Sequence, residues 1–154
     1  MYKAIRVYDL DGVLVDSSHR YRNKPDGTID LQYWIENRTP EKIAKDKILP
    51  RARQYLADCL NPARYTVICT SRVYHSADIE FIVGRLGAPD KLFMRPEGNN
   101  DADGVLKRKQ LAALFNLRQF NKLPRYLWED NNHNIAALSH MFDRVFFIQS
   151  NQGA

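Results

Sequence analysis

Five short runs along the chain read as strands, segments of helical spacing lie between them, and polar residues stand at the ends of three of the five. Residues Ala4–Leu10 alternate apolar and polar side chains and are rich in β-forming types, which predicts a strand ending where Asp9, Asp11 and Gly12 begin. Tyr65–Thr70 is a β-branched apolar run suited to a buried parallel strand, and it leads into Ser71 and Arg72. Lys91–Met94, Tyr126–Trp128 and Arg144–Ile148 supply three more strands, the second of which runs into Glu129 and Asp130.

Helical spacing fills the intervals. Pro50 fits the first position of a helix with Ala52, Tyr55, Leu56, Cys59 and Leu60 on its apolar face, stopped by Asn61-Pro62. Asp78–Leu86 is helical and closed by Gly87, and Asp103–Asn116 and Asn132–Met141 complete the set. Strands alternating with helices imply crossover connections, and so an α/β architecture with a mostly parallel sheet covered on both faces. Between Ser17 and Pro50 the pattern is irregular, punctuated by Asn23, Pro25, Asp26, Gly27, Asn37 and Pro40, with room for one short helix. That insert is too small for an independent core, so the expectation is a single domain over 1–154 with a minimal cap-like excursion at about 17–50.

In open parallel sheets, ligands gather beyond the carboxyl ends of the strands. Asp9 and Asp11, Thr70 to Arg72, and Glu129 with Asp130 should therefore meet at one edge. Several carboxylates at one point repel one another unless a cation neutralises them, and an all-oxygen donor set suits magnesium better than zinc. With its charge shielded, Asp9 can attack phosphorus to form an aspartyl-phosphate, and Asp11, lifted aside by the turn at Gly12, can protonate the leaving oxygen. Thr70 and the amide after it can hold phosphoryl oxygens, with a lysine completing the neutralisation. Lys107 shares a helical stripe with Leu111 and Leu114 and should point at the sheet, whereas Lys109 shares its stripe with Ala113 and Asn116.

Composition changes this picture little. With 44% hydrophobic residues the chain of 154 can build a core, and its apolar runs are far shorter than the ~20 residues that span a bilayer. No signal-peptide pattern opens the chain, so a cytoplasmic location is expected. Cys59 and Cys69 form no CxxC pair, and the four histidines lack zinc-ligand spacing. The net charge of +5 favours anionic partners such as nucleotides or nucleic acid.

The run Asp9-Leu-Asp11-Gly12-Val-Leu-Val-Asp16-Ser17 resembles the first motif of the haloacid dehalogenase-like superfamily. Thr70-Ser71-Arg72 resembles its second motif, Lys107 on a helix its third, and Trp128-Glu129-Asp130 its fourth, all in family order. The resemblance implies a Rossmann-like three-layer sandwich and a magnesium-dependent phosphomonoesterase. It casts Asp9 as nucleophile and metal ligand, and Asp11 as acid/base that also offers its backbone carbonyl to the metal. Asp130 becomes the direct ligand, Glu129 a nearer or outer one, and Thr70, Ser71 and Lys107 the phosphate holders. Within the superfamily the chain is most similar to the 3′-phosphatase half of phage-type polynucleotide kinase/phosphatases, through Ser71-Arg72 and the Asp103…Lys107 spacing, although Glu129 stands where those proteins carry an aspartate. The expected substrate is thus a nucleic-acid 3′-phosphate or a nucleotide. A small-metabolite or mononucleotide phosphatase and a silent binding module of the same fold are the rivals. There is no GxxxxGK[ST] phosphate loop and so no support for a kinase.

Other readings stand beside these. A calcium loop counted from Asp9 would need glycine and glutamate where Leu14 and Arg20 stand. Arg72 is expected to contact a substrate phosphate or sugar, or else only to pair with a surface acid; Asp16 orients its loop; Asp103 is an N-cap or first-turn acid or else holds Lys107. His133 reads as a solvated side chain. His19 to Arg22 with Tyr33-Trp34 reads either as a surface that stacks bases or as packing of the insert.

Overall fold

The computed structural model describes residues 1–149, and in it the strand bearing Asp9 lies at the centre of a five-stranded sheet. The strands are β1 (Ala4–Tyr8), β4 (Arg64–Val73), β5 (Lys91–Arg95), β6 (Arg125–Glu129) and β7 (Arg144–Phe147), ordered β5-β4-β1-β6-β7 and all parallel. The α/β expectation holds, with all five strands where the pattern puts them. Pleating sends alternate residues to opposite faces. Ile5, Val7, Val67 and Leu127 pack on one side with Leu111, Leu114 and Phe115 of α5 (Asp103–Phe115) and Leu138 of α6 (Asn132–Leu138). Tyr8, Ile68 and Trp128 pack on the other with Tyr55 of α3 (Ala52–Cys59) and Phe81 of α4 (Ser76–Phe81), which continues as a π-helical stretch over Ile82–Leu86 to Gly87.

Two expectations need correction. Leu56 and Leu60 do not face the core: both are exposed, and α3 turns Asp58 inward instead. The reason lies on the sheet, where Arg6 and Arg64 both need a counter-charge. Asp58 is fully buried, accepts from Arg6 Nε at 2.5 Å, and is bonded by Arg64 and by the Tyr8 hydroxyl. In addition, β4 does not stop at Thr70 but runs on to Val73, with a register irregularity against β5 between Cys69 and Val73. Such irregularities bend a strand and re-aim its side chains.

The insert holds more than one short helix. It contains a 3-10 turn at Ser18–Arg20, α1 (Leu31–Glu36) and α2 (Pro40–Ile43). Its ends are clipped together by a small antiparallel ladder of β2 (Val15–Asp16) with β3 (Lys47–Ile48). Asp16 accepts from Ser18 N at 2.8 Å and so orients the entry to the excursion.

Two glycines matter to the placement of the site. Gly12, at φ +82°, makes the tight turn in which its N–H donates to Val15 O at 2.8 Å, a conformation that favours glycine. Gly104, on α5, lets that helix close on α6: a Cβ there would lie 2.7 Å from Ala137 Cβ. Near a helix start alanine gains little from propensity, so Gly104→Ala should cost about 1–3 kcal/mol through overpacking. A lowered urea midpoint with unchanged m-value is the expected readout, and an unchanged midpoint would show that the two helices separate freely.

Candidate active site

Register carries the acids together. Tyr8 pairs with Trp128, and Asp9 N–H donates to Trp128 O at 2.9 Å, so Asp9 leaves β1 beside Glu129 and Asp130 at the end of β6. One carboxylate oxygen from each of Asp9, Glu129 and Asp130 lies within 4.8 Å of the others. Lys107 reaches this cluster from α5, 2% exposed, with Nζ 2.9 Å from Asp9 Oδ1 and 3.0 Å from Glu129 Oε2. Lys109 is exposed and pairs with Asp101, as the stripe argument requires. Glu129 is fully buried; its other oxygen accepts from Asn131 N at 3.3 Å and Asn134 Nδ2 at 3.4 Å. Both its oxygens thus have partners inside the protein, and it lines the adjoining cavity together with Asp9 and Asp130.

One ammonium does not neutralise three carboxylates. Burial, then the charge of Glu129, pushes the Asp9 carboxyl up to about 7 against the pull of Lys107. Burial and the charge of Asp9 push Asp130 up to about 7 as well. The cluster therefore has a charge deficit that a divalent cation would fill, and its oxygen donors fit a hard ion such as magnesium.

Asp11 sits differently. Burial would raise its carboxyl, but Arg72 and the Ser17 hydroxyl hold it below the usual carboxylate range. Arg72 donates from Nε and Nη2 to Asp11 at 2.8 and 2.5 Å, from Nη1 to Asp78 at 2.6 Å, and from Nη2 to Asp46 at 3.1 Å. Arg72 is itself buried, and its acid partners are three, two of them buried and none of them the surface acid that the sequence reading offered as the alternative to substrate contact. Asp46, in the insert, also accepts from Arg20 Nε and Nη2 at 2.8 and 2.9 Å and lies 2.8 Å from His19 Nε2. A chain of buried charges therefore runs from the insert through Arg72 to Asp11.

Thr70 Oγ1 accepts from Arg72 N at 3.2 Å, and Ser71 Oγ, buried, has no hydrogen-bond partner among the described residues. Both line a cavity of about 790 Å³ that also contains Asp9, Asp11, Arg72, Lys107, Glu129 and Asp130. Every expected site residue is thus at one cavity. Asp103, in contrast, does not hold Lys107: it accepts from Arg95 Nη2 at 2.7 Å. Of the two readings left open for the His19–Arg22 and Tyr33-Trp34 stretch, Arg20 fits the packing one: it is fully buried with its guanidinium carbon 4.4 Å from the Trp34 ring centre.

Sequence reasoning missed Asp46, Asp78 and Arg95. The last donates to Ser71 O at 3.1 Å and to the 99–103 loop, so it ties the second motif to the start of α5. None of the three carries a periodic or motif signal, although the buried partners of Arg72 could be sought among acids of the insert. No helix among the described residues is long and apolar enough to cross a membrane.

A family model described as bacteriophage T5 5′-deoxynucleotidase matches residues 1–144. The 5′-deoxynucleotidase of Escherichia phage T5 is 30% identical over 82 residues, covering 51% of this chain and 33% of that protein, so the chain spans about a third of the relative's length. Among solved structures, a chain of the Pnkp1/Rnl/Hen1 RNA repair complex superposes with a TM-score of 0.68 at 17% identity, over 96% of this chain and 42% of that one. The HAD domain of the Legionella pneumophila effector Lem4 superposes with a TM-score of 0.52 at 16% identity, over 99% and 88%. These two likenesses show the haloacid dehalogenase-like fold.

Proposed function

Since the chain belongs to the bacteriophage T5 5′-deoxynucleotidase family, we propose that it hydrolyses the phosphomonoester of deoxynucleoside 5′-monophosphates through an aspartyl-phosphate on Asp9. The observation that carries this reading is the meeting of Asp9, Lys107, Glu129 and Asp130 at the ends of adjacent central strands. Asp9, Asp130 and the Asp11 backbone carbonyl would hold magnesium, which when bound shields the acids and stabilises charge on the phosphoryl oxygens.

Lys107 holds Oδ1 of Asp9, which leaves the other carboxylate oxygen to attack phosphorus. That bond forms as the ester P–O bond breaks, and the leaving oxygen takes a proton from Asp11. Asp11 then accepts a proton from water, whose oxygen attacks the phosphorus, breaks the bond to Asp9 and yields inorganic phosphate. In the resting site Arg72 holds Asp11 ionised, as the second step needs; the negative charge of an arriving phosphate opposes Arg72 and favours the protonated form needed first. Ser71 Oγ, which has no hydrogen-bond partner among the described residues, and Thr70 are the donors for phosphoryl oxygens, joined by the third N–H of Lys107.

The sequence alone leaves a nucleic-acid 3′-phosphate or a nucleotide as the expected substrate, and the net charge of +5 suits either anion. The family match moves the preference to mononucleotides. Phosphate release should be measured from deoxynucleoside 5′-monophosphates, 3′-phosphorylated oligonucleotides and sugar phosphates, with magnesium and with a chelator. We expect turnover of the mononucleotides that chelation abolishes. Turnover confined to oligonucleotide ends would replace the substrate, and turnover that survives chelation would remove the metal.

A further inference from the structure

The cavity has a second wall whose chemistry differs from that of the acids. It is built by the insert, from Tyr21, Ile29, Leu31, Trp34, Ile35 and Arg38. Helix α1 has the sequence LQYWIE, four apolar or aromatic residues in six, and none of them is buried. Ile29, Leu31 and Ile35 remain 39%, 57% and 48% exposed. Scattered exposed apolar residues need no explanation, but a group of them lining one side of a catalytic cavity marks a ligand surface.

The wall is held in place. Asp30 caps α1 by accepting from Tyr33 N at 3.1 Å, and Arg22 bonds Asp30 at 2.9 Å while lying 4.1 Å from the centre of the Tyr33 ring. Trp34 packs on Arg20, Arg20 bonds Asp46, and Asp46 bonds Arg72, which holds Asp11. The apolar surface is thus fixed at a set position from the acid that serves the leaving group. Arg38 lines the same cavity, and its guanidinium makes no hydrogen bond or ion pair among the described residues.

We infer that this wall is a nucleobase site: the base of the substrate lies against Leu31, Trp34 and Ile35, and Arg38 donates to its ring-nitrogen or carbonyl acceptors. A bare sugar phosphate would leave the apolar residues in water and Arg38 without a partner, whereas a base has a flat apolar face and acceptor edges that satisfy both. The cavity volume, about 790 Å³, lies in the range of small-ligand sites. The inference rests on the mononucleotide reading above and adds the residues that select the base.

The test compares a deoxynucleoside 5′-monophosphate with deoxyribose 5-phosphate, which has the same ester and no base, using the full chain with magnesium. Wild type should favour the nucleotide. The double substitution Leu31→Asp/Ile35→Asp, and separately Arg38→Ala, should each lower kcat/KM for the nucleotide by about ten-fold or more, chiefly through KM, and by a much smaller factor for the sugar phosphate. Equal losses on the two esters, or equal efficiency of the wild type on both, would overturn the base site while the phosphatase reading stands. Failure of the wild type to hydrolyse either ester would overturn both. As a readout independent of turnover, nucleotide binding to Asp9→Asn should weaken when the Leu31→Asp/Ile35→Asp pair is added, and unchanged binding would also refute the assignment.

Discussion

Asp9→Asn should lose turnover by on the order of 10⁴-fold or more and yet fold at least as stably as wild type at pH 8 without a divalent cation. The two halves have different origins. Turnover vanishes because an amide oxygen is a poor nucleophile toward phosphorus. The stability half follows from linkage. The folded-state Asp9 carboxyl stands at about 7 against an ordinary 3.8, because burial and Glu129 disfavour its charge. Between those values the folded chain binds more protons than the unfolded one, so this group's contribution is fully present below pH 3.8 and is lost as pH rises through 7. Asparagine carries no such charge and removes the loss, while Lys107 keeps its bond to Glu129. Single-turnover assays and melting curves from pH 5 to 8 in chelator check both halves. Activity within ten-fold of wild type would remove Asp9 as nucleophile, and a melting temperature several degrees lower at pH 8 would contradict the electrostatic account.

Lys107→Met should be the most damaging single change to the folded state near the site. The side chain is 2% exposed and its ammonium lies between two buried carboxylates, so methionine keeps much of the volume and leaves Asp9 and Glu129 facing each other. Breaking a buried charge pair on one side costs about 3–5 kcal/mol. Turnover should fall by about 10²–10³-fold as well, through the lost donor to developing phosphoryl charge. Magnesium should return part of the stability by binding the folded chain, but not the turnover. Urea titrations with and without magnesium measure this; a midpoint equivalent to less than about 1 kcal/mol of change would mean that Lys107 is not needed to offset the acids.

What the sequence disclosed divides along a physical line. Strands and motif residues were legible because each is a local signal: an apolar run, a turn, a carboxylate just past a strand end. Even the choice of Lys107 over Lys109 followed from helical spacing alone. Asp58 was not legible, since nothing in its neighbourhood says that Arg6 and Arg64, distant in sequence, will approach it. Asp46 and Arg20 were hidden likewise, in an irregular stretch where burial has no period to betray it. Arg72 was seen as a site residue, but its bonds to Asp11, Asp46 and Asp78 depend on three segments that meet only in the fold.

The sheet order sets when this chain can begin to work. The first strand made is the central one, and both its neighbours come from much later sequence, Arg64 onward on one flank and Arg125 onward on the other. Until α5 and β6 have been synthesised and docked, the aspartate pair near the amino end has neither its ammonium nor its companion acids. Long-range parallel pairing of this kind is slow to close. A growing or refolding chain that lacks these later elements therefore lacks the proposed catalytic cluster, and the return of turnover is expected to mark completion of the topology, not the first appearance of secondary structure.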